Sequence, residues 1–345
     1  MTRVGLLGCG RIARIHHLPI LVRAAGVELA ALADADPAAL AHARAAAPQA
    51  RDFPDWRAVL DDDSIAAVVI CLPTGLHAEA ARASFEAGKD VYLEKPLATT
   101  PADARDAVAA WRAGGRIGML GFNHRFHPLV LEARSAVRKG VVGRPVAARM
   151  SSLSPPRELP AWKRRREEGG GALLDLGSHQ ADLARFLFGE EVREVSASVR
   201  SIRTEDDDAS ITMTMASGLP VDSHVSFATV RENRFEILGE DGRIVVDRVA
   251  GQMRLDALEP PAGRVARLLE AARGIAEAPR MVRSILAPAR DPSYGGALSS
   301  FLRATRDRSH PLPDLDDGER SLAVVLAAET AAREGRRTPV EPAAS

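Results

Sequence analysis

The chain has 345 residues, 46% of them hydrophobic, with 46 basic side chains against 46 acidic ones and a pI near 7.2. That length predicts about two domains with room for a sizeable core, while zero net charge removes the broad basic face that counterion release demands of a nucleic-acid binder. No apolar stretch approaches the roughly 20 residues of a membrane span, and two cysteines, Cys9 and Cys71, form neither a disulfide framework nor a CxxC metal site. With no signal-peptide pattern in residues 1–7, the sequence predicts a cytoplasmic protein.

Short apolar runs alternate with helical segments through the first third. Val4–Leu7, Val27–Ala33, Ala66–Leu72, Val91–Leu93 and Ile117–Leu120 read as strands apolar on both faces, as a sheet covered by helices requires. Ile12–Ala24 and Pro37–Ala47 read as helices, the second with Asp36 as N-cap and Pro37 in the first turn. Thr100-Pro101 opens another in the same way, and Gly114-Gly115 closes it. This alternation predicts an α/β unit with a parallel, doubly wound sheet over residues 1–121.

Gly8-Cys9-Gly10-Arg11-Ile12-Ala13 follows the first strand and opens the first helix, which is a GxGxxA dinucleotide fingerprint in a strand–turn–helix setting. Gly8 permits the tight turn, Gly10 lets the backbone approach a pyrophosphate, and Ala13 lets helix and sheet pack closely. The helix start at Arg11 and Ile12 offers N–H groups and a favourable dipole to the phosphates. Asp34 ends the second strand 24 residues beyond Gly10, the place for a carboxylate that accepts hydrogen bonds from ribose hydroxyls. With Asp36 nearby it would repel a 2′-phosphate, so the expected cofactor is NAD rather than NADP. Cys9 reads as a small filler in the turn.

Beyond residue 122 the texture changes. A helix over Pro128–Lys139 leads into an irregular Pro- and Arg-rich passage, then Gly169-Gly170-Gly171 and a helix from Ala172 to Phe188. Val195–Ile202, Ala209–Ala216, Val221–Val230, Arg234–Leu238 and Arg243–Val246 read as successive strands joined by turn residues, which predicts an α+β domain over 122–345 with a mostly antiparallel sheet. Residues 250–292 read as a helical insertion. Within it, 264–290 hold six Arg and two Glu on two amphipathic helices, expected to pack on the chain's own domain as a lid or subunit contact. The last helix, from Gly296 onward, is expected to reach back to the first domain.

Tyr92-Leu93-Glu94-Lys95-Pro96 ends the fifth strand, and strand C-termini face the ligand crevice of an open α/β sheet, so Lys95 points where nicotinamide and substrate meet. Only four of the 46 basic residues are Lys, at 89, 95, 139 and 163; the rest are Arg. An ammonium differs chemically from a guanidinium, which supports a special role for Lys95 but explains none of the other three. Asp175 and His179, four apart on a helix, share one face. Oxidation of a secondary alcohol needs a base near operating pH, which suits His179, while Lys95 can stabilise alkoxide character and Asp175 can orient either group. Asp182, His124 and His127 lack the convergence a metal site needs, so no metal is expected. Asn123, Arg125 and Trp162 are candidates for substrate contacts or for packing at the junction, and Lys163-Arg164-Arg165-Arg166, followed by Glu167-Glu168, reads as a solvated surface run or, since it precedes the helix of Asp175 and His179, as a site for an anionic substrate group.

GCGRIA at 8–13, Pro73-Thr74-Gly75-Leu76-His77, EKP at 94–96, Gly121-Phe122-Asn123-His124-Arg125-Phe126 and GGGALLDLGSHQADL at 169–183 together resemble the Gfo/Idh/MocA family of sugar and polyol dehydrogenases. The resemblance spans nearly the whole chain. It implies a Rossmann domain followed by an α/β domain whose open sheet carries the substrate cleft on one face and often an oligomer contact on the other. It implies that Lys95, Asp175 and His179 are catalytic and that Thr74, His77 and Glu94 line the cofactor. Two departures stand out: Thr74-Gly75 where Pro-Asn is common, and a longer segment over 250–292. The reading is therefore hydride transfer between NAD and a carbohydrate-like alcohol or ketone by a homodimer or homotetramer. An NAD-retaining glycosidase and a non-catalytic NAD sensor are the alternatives.

Overall fold

The computed structural model describes residues 1–258 and 291–341. Six strands, β1 (Thr2–Leu7), β2 (Val27–Ala33), β3 (Arg51–Phe53), β4 (Ala67–Ile70), β5 (Asp90–Leu93) and β6 (Gly118–Leu120), form the first sheet. All its neighbours run parallel in the order β3-β2-β1-β4-β5-β6. Its helices are a π turn, Ala13–His17, running into α1 (Leu18–Leu21), then α2 (Pro37–Ala46), α3 (Arg57–Leu60), α4 (His77–Glu86) and α5 (Pro101–Gly114). The caps read from sequence are present. Asp36 accepts from the Ala38 N–H, Thr100 from the Asp103 N–H, and Gly115 ends α5 at φ +57°. Strand order reverses between β1 and β4, so their C-terminal ends open a crevice there.

The second sheet runs β13-β12-β11-β7-β10-β9-β8-β14, from β7 (Pro145–Leu153), β8 (Val192–Arg200), β9 (Asp208–Met215), β10 (Pro220–Ser226), β11 (Glu232–Gly239), β12 (Gly242–Asp247), β13 (Gln252–Ala257) and β14 (Thr338–Pro339). β7 and β10 pair in parallel and the other pairs are antiparallel. Helix α6 (Pro128–Arg138) and a π turn, Leu173–Gly177, that continues into α7 (Ser178–Phe188), pack with this half.

Two strands correct the sequence reading. β7 lies between β11 and β10 inside the passage taken as irregular. Its inward residues are Ala148, Met150 and Ser152, too small or polar to show an apolar period. β13 occupies 252–257, the start of the segment read as a helical insertion. The rest of that segment, including the basic stretch at 264–290, lies outside the described residues.

Two further helices, α8 (Pro292–Asp307) and α9 (Leu315–Glu334), return to the first sheet. Leu298 and Phe301 of α8 pack into the layer formed by Val4, Leu6, Leu32, Val69 and Tyr92, with the Phe301 and Tyr92 rings edge to face at 5.8 Å. Full burial of each such side chain contributes about 1.5–3 kcal/mol. Just before α9, the Pro313 carbonyl accepts from the Leu120 N–H at 2.9 Å. A Cβ on Gly118 would lie 2.7 Å from Leu315, so glycine there lets α9 approach β6.

Candidate active site

The crevice at β1 is made by backbone. Gly8 sits at φ +91°, and a Cβ there would lie 2.5 Å from the Cys71 carbonyl beyond β4; at Gly10 a Cβ would meet nothing within 4 Å. One glycine is needed for the turn and the other leaves room for a ligand. The Asp34 carboxylate takes the Cys9 N–H at 2.6 Å and the Asp36 N–H at 2.8 Å, which fixes it beside the loop with lone pairs remaining for hydroxyl donors. Arg11 is exposed and Ile12 half-buried at the helix start. A dinucleotide fits this loop, with the open space at Gly10 and the helix N-terminus for its phosphates and Asp34 for its ribose. Burial pushes the Cys9 thiol up to about 12, as does the nearby Asp34 charge, so Cys9 is a packed thiol.

Below the crevice, three residues brace its floor. His17 shares a hydrogen bond with Glu94 Oε1 at 2.7 Å, tying the first helical segment to the end of β5. His77 lies between two carbonyls, 2.6 Å from Pro96 O and 2.9 Å from Leu72 O, which holds the cis Lys95-Pro96 turn against the end of β4. Burial lowers the pKa of that ring. Thr74 is buried against Gly169, where a Cβ would come 2.4 Å from its own. At Gly170 a Cβ would come 2.4 Å from the Lys163 carbonyl. The glycine run thus passes between the cofactor-side turn and the 3-10 turn Ala161–Arg164.

Lys95 reaches from β5 to the second half. Its Nζ donates to the Asp175 carbonyl at 2.8 Å and to the Asp175 carboxylate, and Lys163 Nζ donates to the other carboxylate oxygen at 2.5 Å. Asp175 is buried, which alone would raise its pKa, yet the charges and hydrogen bonds of Lys163 and Lys95 hold it well below the carboxylate range. Burial lowers the pKa of Lys163, with Lys95 adding to the effect and Asp175 opposing it. His179, in the first turn of α7, stacks on His124 with ring centroids 4.0 Å apart and planes 8° from parallel. Burial drives both imidazoles well below their ordinary 6.5, and nearby cations add to it. Asp175 falls in the π turn and His179 in the helix that continues it, so the pair enters one site from successive turns.

The candidate substrate residues separate. Trp162 is half-buried beside Lys163, whose Nζ lies 5.6 Å from its ring centroid, at the edge of the site. Asn123 is buried and donates to Ser293 Oγ at 2.7 Å. Arg125 is engaged by Asp182 at 3.0 and 3.1 Å and by Asp317 at 3.0 Å, while Arg185 reaches the same Asp317 at 3.1 Å. Both Asn123 and Arg125 therefore serve the packing of α7, α8 and α9 rather than presenting free donors. The basic run also divides: Lys163 enters the site, Arg166 pairs with Glu329 of α9, and Arg165 stays exposed with Glu168.

Sequence reasoning missed Lys163, the His124 stack, and a buried Arg248 paired with Asp291 at 2.9 Å. The scarcity of Lys singled out Lys95 and would have singled out Lys163 equally. No local signal marks Arg248, which follows β12 and is far from the motifs in sequence.

A parallel sheet with a dinucleotide loop at its switch point, facing a lysine and a buried imidazole, defines a nicotinamide-dependent oxidoreductase. Residues 2–122 match the model described as an oxidoreductase family with an NAD-binding Rossmann fold, and residues 130–245 match the GFO/IDH/MocA C-terminal domain. The chain belongs to the Gfo/Idh/MocA family of NAD-binding oxidoreductases. It is 31% identical over 352 residues to the 1,5-anhydro-D-fructose reductase of Ensifer adhaerens, covering 99% of each chain. It is 29% identical to the inositol 2-dehydrogenase of Rhizobium meliloti, over 98% of this chain and 99% of that one. Among solved structures, the WlbA dehydrogenase of Bordetella pertussis in complex with NADH and UDP-GlcNAcA matches at TM-score 0.84 and 26% identity, covering 99% of this chain and 98% of that chain. Among the described residues, no helix is long and apolar enough to cross a membrane.

Proposed function

We propose that this protein moves a hydride between NAD and a secondary alcohol or ketone of a sugar or cyclic polyol. The observation that carries the reading is a buried His179, stacked on His124, in the helix that continues from Asp175, whose carboxylate is held by Lys95 at the end of β5 and by Lys163 of the 3-10 turn. Bound NAD supplies the hydride acceptor. In the oxidative direction His179 accepts the hydroxyl proton, which breaks the O–H bond as the carbinol C–H bond gives up its hydride and the C=O bond forms. Lys95 hydrogen-bonds the same oxygen and stabilises its developing negative charge, and Asp175 anchors both ammonium groups so that Lys95 cannot swing away. Reduction runs the same roles backward.

Gly8, Gly10, Arg11, Ile12 and Asp34 hold the cofactor, with Thr74, His77 and Glu94 shaping the pocket floor and Trp162 flanking the substrate. Asp34 selects NAD over NADP because its charge repels a 2′-phosphate. The reductase and dehydrogenase relatives support a carbohydrate-like substrate, and the partition at residues 121 and 122 follows the two sheets. The half-exposed Ser196, Thr212 and His224 face of the second sheet suits a contact between copies of the chain, as a homodimer or homotetramer in the cytoplasm.

The test is absorbance at 340 nm across a panel of inositols, aldoses and anhydroketoses with NAD or NADH. Turnover by the wild type is expected, with loss of about 10²–10⁴-fold in Lys95→Ala and His179→Ala. Undiminished turnover in both variants contradicts the assignment. Sugar release from a glycoside without net NADH would mark the glycosidase reading, and NAD binding without turnover the sensor reading.

A further inference from the structure

The chain has only two tyrosines, and both meet at one histidine. The Tyr92 ring, in β5, lies edge to face with His17 at 5.4 Å, and the Tyr294 ring, in the first turn of α8, lies edge to face with the same imidazole at 5.7 Å. His17 is the residue that shares a hydrogen bond with Glu94, the neighbour of Lys95, so Tyr294 stands at the crevice floor beside the reacting groups. The two phenols differ in their surroundings. Tyr92 is fully buried, and its hydroxyl is sealed off without a partner. Tyr294 is half-buried, and its hydroxyl makes no hydrogen bond among the described residues yet is not closed off from solvent.

Tyr294 is held from two sides. Its ring stacks on His16, in the π turn that follows the glycine loop, with centroids 3.9 Å apart and planes 11° from parallel. Its neighbour Ser293 donates to Asp291 Oδ1 at 2.5 Å and accepts from Asn123 at 2.7 Å, and Asn123 adjoins His124, the ring stacked on His179. Two residues further on, Gly296 lets α8 approach the turn Asn123–Phe126, because a Cβ there would come 3.0 Å from that of Phe126. The phenol is thus fixed between the cofactor helix and the wall that carries His179. Burial pushes it well above its ordinary 10, with the Glu94 and Asp291 charges adding to the effect, so the hydroxyl keeps its proton and can donate. A tyrosine hydroxyl inside a protein ordinarily finds a partner, and this one is anchored at its ring, faces solvent and has none.

We propose that the Tyr294 hydroxyl is a specificity contact, hydrogen-bonding a substrate hydroxyl other than the one His179 deprotonates. The reacting oxygen is already served by Lys95 and His179, whereas Tyr294 enters from the side of the cofactor helix. The substrate must then carry a second free hydroxyl near the reacting carbon, as a cyclic polyol or sugar does and an isolated secondary alcohol does not. This rests on the function proposed above, but it is judged by binding, which needs no turnover.

The experiment titrates myo-inositol, D-glucose and their monodeoxy counterparts into the full-length protein with NADH bound, reading each dissociation constant from NADH fluorescence. Tyr294→Phe keeps the ring on His16 and removes only the hydroxyl. It is expected to weaken binding of the tighter parent compound by about tenfold while NADH affinity stays within about twofold. With the one deoxy compound that lacks the partner hydroxyl, wild type and Tyr294→Phe should bind alike, since deleting either partner removes the same hydrogen bond. An equal loss with every deoxy compound, no loss with any, or a tenfold loss of NADH affinity overturns the proposal. Compounds that bind the wild type but are never oxidised with NAD would instead overturn the base assignment and leave the Tyr294 result standing, and a wild type that binds none of them overturns both.

Discussion

The cofactor crevice and the catalytic wall that faces it are built by different means. At the crevice, backbone does the work: Gly8 fits only because it has no Cβ, Gly10 leaves space, and Asp34 is held by two backbone N–H groups. At the wall, side chains from four separated places, Lys95, His124, Lys163, and Asp175 with His179, are held by ion pairs and stacking. A backbone site is specified within one turn of chain. A side-chain site exists only after the two sheets have docked.

That contrast is sharpest in variants that should separate binding from chemistry. His179→Ala is expected to lower kcat by about 10²–10⁴-fold while NADH affinity, read by fluorescence titration, stays within a few-fold. Gly8→Ala, which drives a Cβ into the Cys71 carbonyl, should do the reverse and abolish NADH binding. Similar loss of NADH affinity in both would dissolve the comparison.

Next in size is the junction. Arg125→Gln leaves Asp182 and Asp317 buried with fewer partners, and denaturant unfolding should show a loss of about 3–5 kcal/mol. KM for substrate should barely move, since Arg125 is not in the pocket; a selective rise in KM at full stability would return it there.

Acid sensitivity should also divide by region. The buried rings of His124 and His179 have lowered pKa values, so below the ordinary 6.5 the unfolded chain takes up protons that the folded one refuses, and stability falls as pH falls. Asp175 has a lowered pKa as a carboxylate, so its contribution is present above its ordinary 3.8 and is lost only as pH falls below that. Melting curves should therefore weaken in two steps. His124→Phe should reduce the first slope by at most about 1.4 kcal/mol per pH unit.

At the crevice, Asp34→Ser should weaken NAD binding by about tenfold, or about 1.4 kcal/mol, and narrow the preference over NADP. The smallest expected effect is Thr100→Ala, about 1 kcal/mol of stability from the lost α5 cap with no kinetic change.

The same division explains what was legible in the sequence. The glycine loop, the caps at Asp36 and Thr100 and the strand alternation are local, so residue type and spacing were enough to read them. β7 was not legible because its inward Ala, Met and Ser residues carry no apolar rhythm, although its neighbours in the sheet make it central. Lys95, Asp175 and His179 were readable as types at strand-end and helical positions. Their partners were not, because Lys163 looked like one member of a basic run, and the type and position of Arg125 suit a pocket and a junction equally, a choice that only the contacts with Asp182 and Asp317 make.

The central claim is that an uncharged His179 takes the substrate proton beside a Lys95 anchored by Asp175. Single-turnover absorbance at 340 nm, with saturating NAD and the polyol that gives the highest wild-type rate, tests it most directly. The account predicts rapid NADH formation by the wild type, and in His179→Ala a rate slower by at least about 100-fold despite full NAD occupancy. NADH formed at the wild-type rate by that variant would contradict it.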